Sequence, residues 1–191
     1  MGDLLGFDPA RIARLKDAQR LLQVPPQRLW EVLAAPQSGT LIDIGCGVGY
    51  MALPMARHFL RCRIVAADVL PGMLDVLRQD AAAEGLANVE PLLMEPARVP
   101  LDDGVAQLVV MLQVHHELDD PAALLVECRR LLAPGAPIAL IDWQPNAAGI
   151  GPPRERMVPA EHVLTQLTAA GFTAARRHAI YPLHFCITAL A

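Results

Sequence analysis

The chain has 191 residues, enough for one domain with a substantial core, and 53% of them are hydrophobic, a composition that argues against intrinsic disorder. A net charge of −4 and a pI near 5.8 argue against an unaided nucleic-acid binder, which needs a surplus of cations to neutralise phosphates. The four cysteines, Cys46, Cys62, Cys128 and Cys186, form no C-x-x-C pair and meet no histidine at zinc spacing, so neither a disulfide framework nor a structural metal is implied.

No apolar run reaches membrane-spanning length, and Met1–Gly6 lacks the basic start and apolar core of a signal peptide. The expectation is a cytoplasmic protein with no membrane partner. Lys16 is the single lysine; the basic residues are otherwise arginines, which reads as compositional bias.

Residues 1–38 read as a helical cap. Asp8-Pro9 has the form of an N-cap followed by proline at the first helical position, and Ile12, Leu15 and Leu22 continue a helical pattern until Val24-Pro25-Pro26. A second helix carries Leu29, Trp30, Val32 and Leu33 and stops at Pro36. Two roles stay open for this segment: packing on a sheet edge, or covering a ligand.

The informative stretch is Thr40–Tyr50. Leu41, Ile42 and Ile44 read as a buried strand that breaks into glycines at 45, 47 and 49, after which Met51, Leu53, Met55, Ala56, Phe59 and Leu60 take helical spacing. A strand feeding a helix through a glycine turn is a nucleoside-binding corner of an open α/β sheet. The dinucleotide fingerprint G-x-G-x-x-G places its third glycine where this chain has Tyr50. Asp43, just before the turn, would repel a pyrophosphate and suits a ligand carrying an amine or cation.

Arg63–Asp68 reads as the second strand. Asp68 lies about 20 residues beyond the loop, where a carboxylate accepts from ribose hydroxyls; an N-cap of the helix opened by Pro71 is the other use for it. That helix runs through Met73, Leu74 and Leu77 and ends at Gly85. Asn88–Met94 reads as an edge strand because it contains Pro91. Ala106–Leu112 is a nearly continuous apolar strand, as expected where both faces are covered by helices.

That strand ends in Gln113-Val114-His115-His116-Glu117, at the carboxyl end where ligands of such sheets bind. Each histidine reads either as a hydrogen-bonded loop residue or as a catalytic one. A helix from Pro121 and a fifth buried strand, Pro137–Trp143, follow. Gln144–Pro159 is rich in Gly and Pro, a length without periodicity that marks a functional loop. Its Arg154 and Arg156 read as solvated charge or as a hold for an anion. A last helix, Val163–Ala170, precedes Phe172–Ile180 and His184–Leu190, which a three-residue connection forces into an antiparallel hairpin.

The stretch DIGCGVG resembles motif I of the class I S-adenosylmethionine-dependent methyltransferases. Val114–Leu118, and the Leu-x-Pro-Gly hinge before a strand ending in Asp142-Trp143, resemble the small-molecule enzymes of the ubiquinone and menaquinone biosynthesis group. The resemblance covers nearly everything after Gly39. It implies an α/β fold, a Rossmann-like, doubly wound, seven-stranded sheet, mostly parallel with an antiparallel C-terminal hairpin, forming one compact unit over residues 39–191.

It also implies S-adenosyl-L-methionine as cofactor and a small molecule as methyl acceptor. Asp43, Gly45, Cys46 and Gly47 would hold the methionine end and Asp68 the ribose, with Val69, Leu70 and Met73 flanking the adenine. Glu95 aligns with the family's adenine-contacting Asp, and Gln113 stands where Asn is commoner. Cys46 is read as packing, because a small buried thiol is a weak nucleophile. His116 is the candidate general base, since imidazole exchanges protons near neutral pH. Trp30, Met111 and Trp143 suggest an apolar acceptor. Two other functions stay open: an NAD(P)-dependent oxidoreductase, and an inactive nucleoside-binding protein on the same scaffold.

Overall fold

A computed structural model of the chain describes residues 9–17, 22–33, 36–145, 147 and 151–191. The expected N-cap at Asp8 and the Gly149-Ile150 part of the long loop lie outside the described residues. The elements in chain order are α1 (Pro9–Leu15), α2 (Pro26–Val32), β1 (Gly39–Ile44), α3 (Ala52–His58), β2 (Cys62–Asp68), α4 (Pro71–Ala83), β3 (Val89–Leu93), β4 (Ala106–Leu112), α5 (Pro121–Leu131), β5 (Pro137–Trp143), α6 (Ala160–Ala169), β6 (Thr173–His178) and β7 (His184–Leu190). One-turn 3₁₀ helices sit at His115–Glu117 and Arg154–Arg156.

The strands form one seven-stranded sheet in the order β3-β2-β1-β4-β5-β7-β6. The first five are parallel to one another, and β7 runs antiparallel to both β5 and β6. The expected plan is therefore the observed one. Strand order reverses between β1 and β4, so their carboxyl ends flank the crevice in which ligands of open α/β sheets bind.

The apolar run of β4 follows from burial on both faces. Leu108, Val110 and Leu112 enter a core layer with Leu29 of α2, Met55 of α3 and Leu77 of α4. Val109 and Met111 enter the opposite layer with Leu124, Leu125 and Leu131 of α5 and Val163 and Leu167 of α6. Successive strand residues point to opposite faces, so a strand covered on both sides must be apolar throughout.

Both edges are blunted. Pro91 sits in β3, as its place at the sheet edge allows. At the other edge β6 is shorter than the sequence pattern suggested: Ala174 takes a left-handed backbone (φ 50°) and the pairing with β7 slips between Thr173 and Arg176. A bulge and two arginines there discourage further strand pairing.

The α3 helix also starts later and stops earlier than its pattern, leaving Leu60 exposed. The loop before it is shaped partly by packing. A Cβ on Gly49 (φ 92°) would stand 2.4 Å from Leu77 Cδ1 and 3.1 Å from Leu53 Cγ. The third glycine thus serves the approach of α4 to the loop.

Of the N-terminal segment, α2 packs into the core through Leu29, while Trp30 stacks against His58 and meets Phe59 edge-on. Lys16 pairs with Asp80 of α4 at 2.6 Å, and the Tyr50 and Tyr181 hydroxyls donate to the carbonyls of Val24 and Pro25. The loop between β3 and β4 is clamped to α5: the buried Glu127 carboxylate accepts from Val99 N–H (2.8 Å) and from Arg130 (2.6 and 2.7 Å), while Arg130 donates to the carbonyls of Val99 and Leu101.

Gly49→Ala should lower stability by about 2–4 kcal/mol, combining left-handed strain with overpacking against Leu77. Urea denaturation measures it; a loss below about 0.5 kcal/mol, the scale of a neutral surface change, would contradict this packing role.

Candidate functional site

A cavity of about 870 Å³ opens at the carboxyl ends of β1, β2, β4 and β5. Its floor is the glycine loop, which β2 holds in place. The N–H groups of Gly45 and Cys46 donate to Ala67 O at 2.8 and 3.1 Å, and Gly47 N–H donates to Asp68 Oδ2 at 2.7 Å. Gly47 has φ 51°, which favours glycine, and among the described residues a Cβ there would meet only Leu15 of α1, at 3.9 Å. The loop backbone therefore faces open cavity at this point, with room for a ligand to lie against it.

Two carboxylates end neighbouring strands. Asp68 also accepts Leu70 N–H at 2.9 Å through Oδ1. Its side chain closes the turn into α4, whose N-cap is Leu70. Asp68 is thus the turn residue ahead of the cap, and it remains on the cavity wall. A carboxylate on that wall is placed to accept from a ligand hydroxyl.

Asp43 is only 1% exposed, and its Oδ2 has no hydrogen-bond partner among the described residues. Burial pushes its carboxyl from 3.8 up to about 8; the Ala52 N–H opposes the shift and the charge of Asp68 adds to it. A buried carboxylate with one oxygen unmatched carries a desolvation cost that a bound cation would offset. The Cys46 thiol is also pushed up, by burial first and then by Asp43 and Asp68, which keeps it protonated and unreactive.

On the β4 side, Gln113 has a left-handed backbone (φ 55°), donates its N–H to Ile141 O at 2.8 Å and contacts the His184 ring through its side chain at 2.7 Å. Strain of this kind in a non-glycine residue collects at functional sites. The two neighbouring histidines then part company. His115 is buried, turned toward Gln166 of α6, and desolvation holds its imidazole below the usual value. His116 lines the cavity. Its Nδ1 lies 2.7 Å from Asp142 Oδ1, and its backbone N–H donates to Asp142 Oδ2 at 3.0 Å.

The cavity brings together Asp43, Gly45, Cys46, Gly47, Asp68, Val69, Leu70, Met73, Gln113 and His116. It does not bring in Glu95. That side chain is exposed, because Glu95 and Arg98 pair their backbones in a tight turn, and the wall there is made by Met94, Pro96 and Ala97. Of the expected apolar residues only Trp143 reaches the cavity; Met111 is buried under α5 and Trp30 packs on α3. Sequence reasoning missed Asp142 as a site residue. The available signal was an acidic residue ending a strand adjacent to the one that precedes His116. Arg14 and Leu15 of α1 and Arg156 of the long loop reach the cavity mouth.

Comparison with known proteins matches residues 42–140 to the model of a family described as methyltransferase domain. An uncharacterized methyltransferase of Mycobacterium tuberculosis is 33% identical over 132 residues, covering 69% of this chain and 50% of that protein. A ubiquinone biosynthesis O-methyltransferase of Caulobacter vibrioides is 33% identical over 136 residues, covering 68% and 49%. The chain spans about half the length of these curated relatives. Among solved structures, a SAM-dependent methyltransferase from Aquifex aeolicus superposes with a TM-score of 0.89 at 29% identity, covering 97% of this chain and 99% of that one. The family match takes in over half of the sequence, from within β1 to within β5, and with it the glycine loop and both acidic strand ends, so the chain belongs to the methyltransferase-domain family.

Proposed function

We propose that the protein transfers a methyl group from S-adenosylmethionine to a small-molecule acceptor. The observation that carries this reading is Asp43: a buried carboxylate, short of a partner, beside a glycine loop open to the cavity. A pyrophosphate ligand would only hold this carboxyl in its protonated form, whereas the α-ammonium of the cofactor's methionine end would favour the carboxylate and pair with it. The donor set fits the rest of the molecule as well. The loop at Gly45–Gly47 lets a backbone-hugging ligand approach, Asp68 has acceptor capacity for ribose hydroxyls, and Val69, Leu70 and Met73 offer an apolar surface for the base.

When bound, the cofactor supplies an electrophilic methyl on a sulfonium whose thioether is already a good leaving group. The protein's task is then to orient the acceptor, exclude water and, where the acceptor carries a proton, remove it. Positioning of this kind supplies roughly 7–11 kcal/mol of barrier reduction, and a general base a further factor of about 10²–10⁴. His116 is the base in this reading, and Trp143 is an apolar wall beside it. The cap expected over residues 1–38 is represented among the described residues by α1, with Leu15 facing Gly47 and the Lys16–Asp80 pair holding α1 to α4.

Titration calorimetry with S-adenosylhomocysteine should give micromolar binding, and NADH none. Asp68→Ala should weaken the former about 10- to 100-fold, the loss of one or two charge-assisted hydrogen bonds at about 1.5–3 kcal/mol each. Equal affinity in the variant would remove Asp68 from the ribose.

Asp43 gives a proton signature. With its carboxyl near 8 in the free protein it is mostly protonated at pH 7. An ammonium beside it favours the carboxylate, lowers the value and expels the proton. Binding at pH 7 should therefore release up to one proton, visible as a dependence of the calorimetric heat on buffer ionisation enthalpy. Affinity should rise with pH up to about 8, and Asp43→Asn should abolish the release. Proton uptake, or the same release in the variant, would contradict the assignment.

A further inference from the structure

Resting on that methyl-transfer reading, we infer that Asp142 is a positioning residue for His116 and that the acceptor enters the cavity with the proton still on a phenolic or enolic hydroxyl, leaving as an O-methyl ether. The inference starts from the register of β4 and β5. These strands are parallel neighbours with Leu112 beside Ile141, so the turn after β4 and the last residues of β5 meet at the cavity.

Asp142 is 2% exposed and spends both oxygens on fixed donors. Oδ2 accepts the backbone N–H of His116 at 3.0 Å, and Oδ1 accepts Trp143 N–H at 2.7 Å and faces His116 Nδ1 at 2.7 Å. An ionised carboxylate only accepts, so the ring must carry its proton on Nδ1. The lone pair is then on Nε2.

The same side chain thus fixes where the imidazole stands, through the backbone, and which nitrogen is basic, through the ring. Among the described residues nothing hydrogen-bonds Nε2. Glu117 Oε1 is 3.9 Å away, outside hydrogen-bond range and on the side that favours a positive ring. A loop histidine held only for structure would be accounted for by Nδ1; here the ring belongs to a residue that lines the cavity, with Nε2 unbonded among the described residues.

The acceptor class follows from what such a base is good for. A carboxylate acceptor is already ionised at neutral pH and needs no base. A phenol titrates near 10, is protonated at neutral pH and gains most from a neighbouring imidazole. Trp143, on the cavity wall with its ring tilted at 41° and 4.1 Å from the His184 ring, gives the acceptor side an apolar aromatic neighbour.

His116 Nε2 takes the hydroxyl proton while an oxygen lone pair forms the bond to the methyl carbon. The carbon–sulfur bond breaks with its electron pair left on sulfur, so the positive charge lost there reappears on the imidazolium, next to Asp142, until the proton passes to solvent.

The test is two-bond ¹H–¹⁵N spectroscopy on full-length protein labelled at histidine nitrogen, with the His116 signals assigned by their loss in His116→Gln. The wild type should show the Nδ1–H form. Asp142→Asn can donate from its amide and should convert the ring to Nε2–H, while Asp142→Glu should keep the wild-type form. In parallel, with a metabolite extract and a panel of simple phenols as acceptors and methyl-labelled cofactor, Asp142→Asn should transfer about 10²–10⁴-fold more slowly, with S-adenosylhomocysteine affinity unchanged, and Asp142→Glu should recover part of the rate. The labelled product should resist alkali.

An Nε2–H ring in the wild type, or an unchanged rate in Asp142→Asn, would overturn the positioning role. Label released by alkali, the mark of an ester, would overturn the hydroxyl acceptor. Absence of any labelled product despite cofactor binding would overturn the methyl-transfer reading and the hydroxyl acceptor with it, leaving the ring form to judge Asp142 alone.

Discussion

Asp43 stands at the carboxyl end of β1 with one carboxylate oxygen unmatched by any donor among the described residues. Burying such a group costs free energy, and a second carboxylate, Asp68, at the end of the adjacent strand adds to the cost. The two are handled differently. Asp68 is satisfied internally, by the N–H groups of Gly47 and Leu70, and in return fixes the course of the glycine loop. Asp43 keeps one oxygen that no donor among the described residues reaches. Much of the site follows from this division: one acid fixes the floor and the other stands on it with an oxygen unmatched among the described residues.

The opposite wall uses the same economy of parts. The end of β4 is strained at Gln113, and the chain then folds into a single 3₁₀ turn that sends His115 into the core and His116 toward the cavity. Asp142, arriving on β5, accepts from the backbone and ring of His116 and from the next residue of its own strand. Because strand order reverses between β1 and β4, Asp43 and Asp68 lie on one side of the crevice and His116 on the other. Arg14 and Leu15 of α1 line the cavity as well.

What was legible in the sequence was what is local. The strand, glycine loop and acidic residue at Asp43 follow one another within a few positions, and Asp68 falls at the end of the next strand, so both acids and the loop could be read directly. Pro91 marked an edge strand because proline cannot donate to a sheet ladder, and the three-residue connection before β7 required an antiparallel hairpin. The continuous apolar run of β4 announced helices on both faces. What could not be read depends on contacts between distant segments. Gly49 looked like part of the ligand loop, but its small size serves Leu77, 28 residues on. Glu95 aligned with an adenine contact, yet the turn it makes with Arg98 turns it out to solvent. Asp142 was invisible as a partner of His116 because only the pairing of β4 with β5 brings them together, and Trp30 and Met111 were apolar for the sake of the core.

The account depends on a ligand lying across the glycine loop with its cationic end at Asp43 and its reactive centre turned toward His116. A crystal structure of the protein with S-adenosylhomocysteine measures that orientation directly. The expected result places the ammonium within hydrogen-bond distance of Asp43, the ribose hydroxyls on Asp68 and the thioether sulfur on the face of the cavity that holds His116 Nε2. A ligand bound with its amine away from Asp43, or with its sulfur facing away from His116, would contradict it.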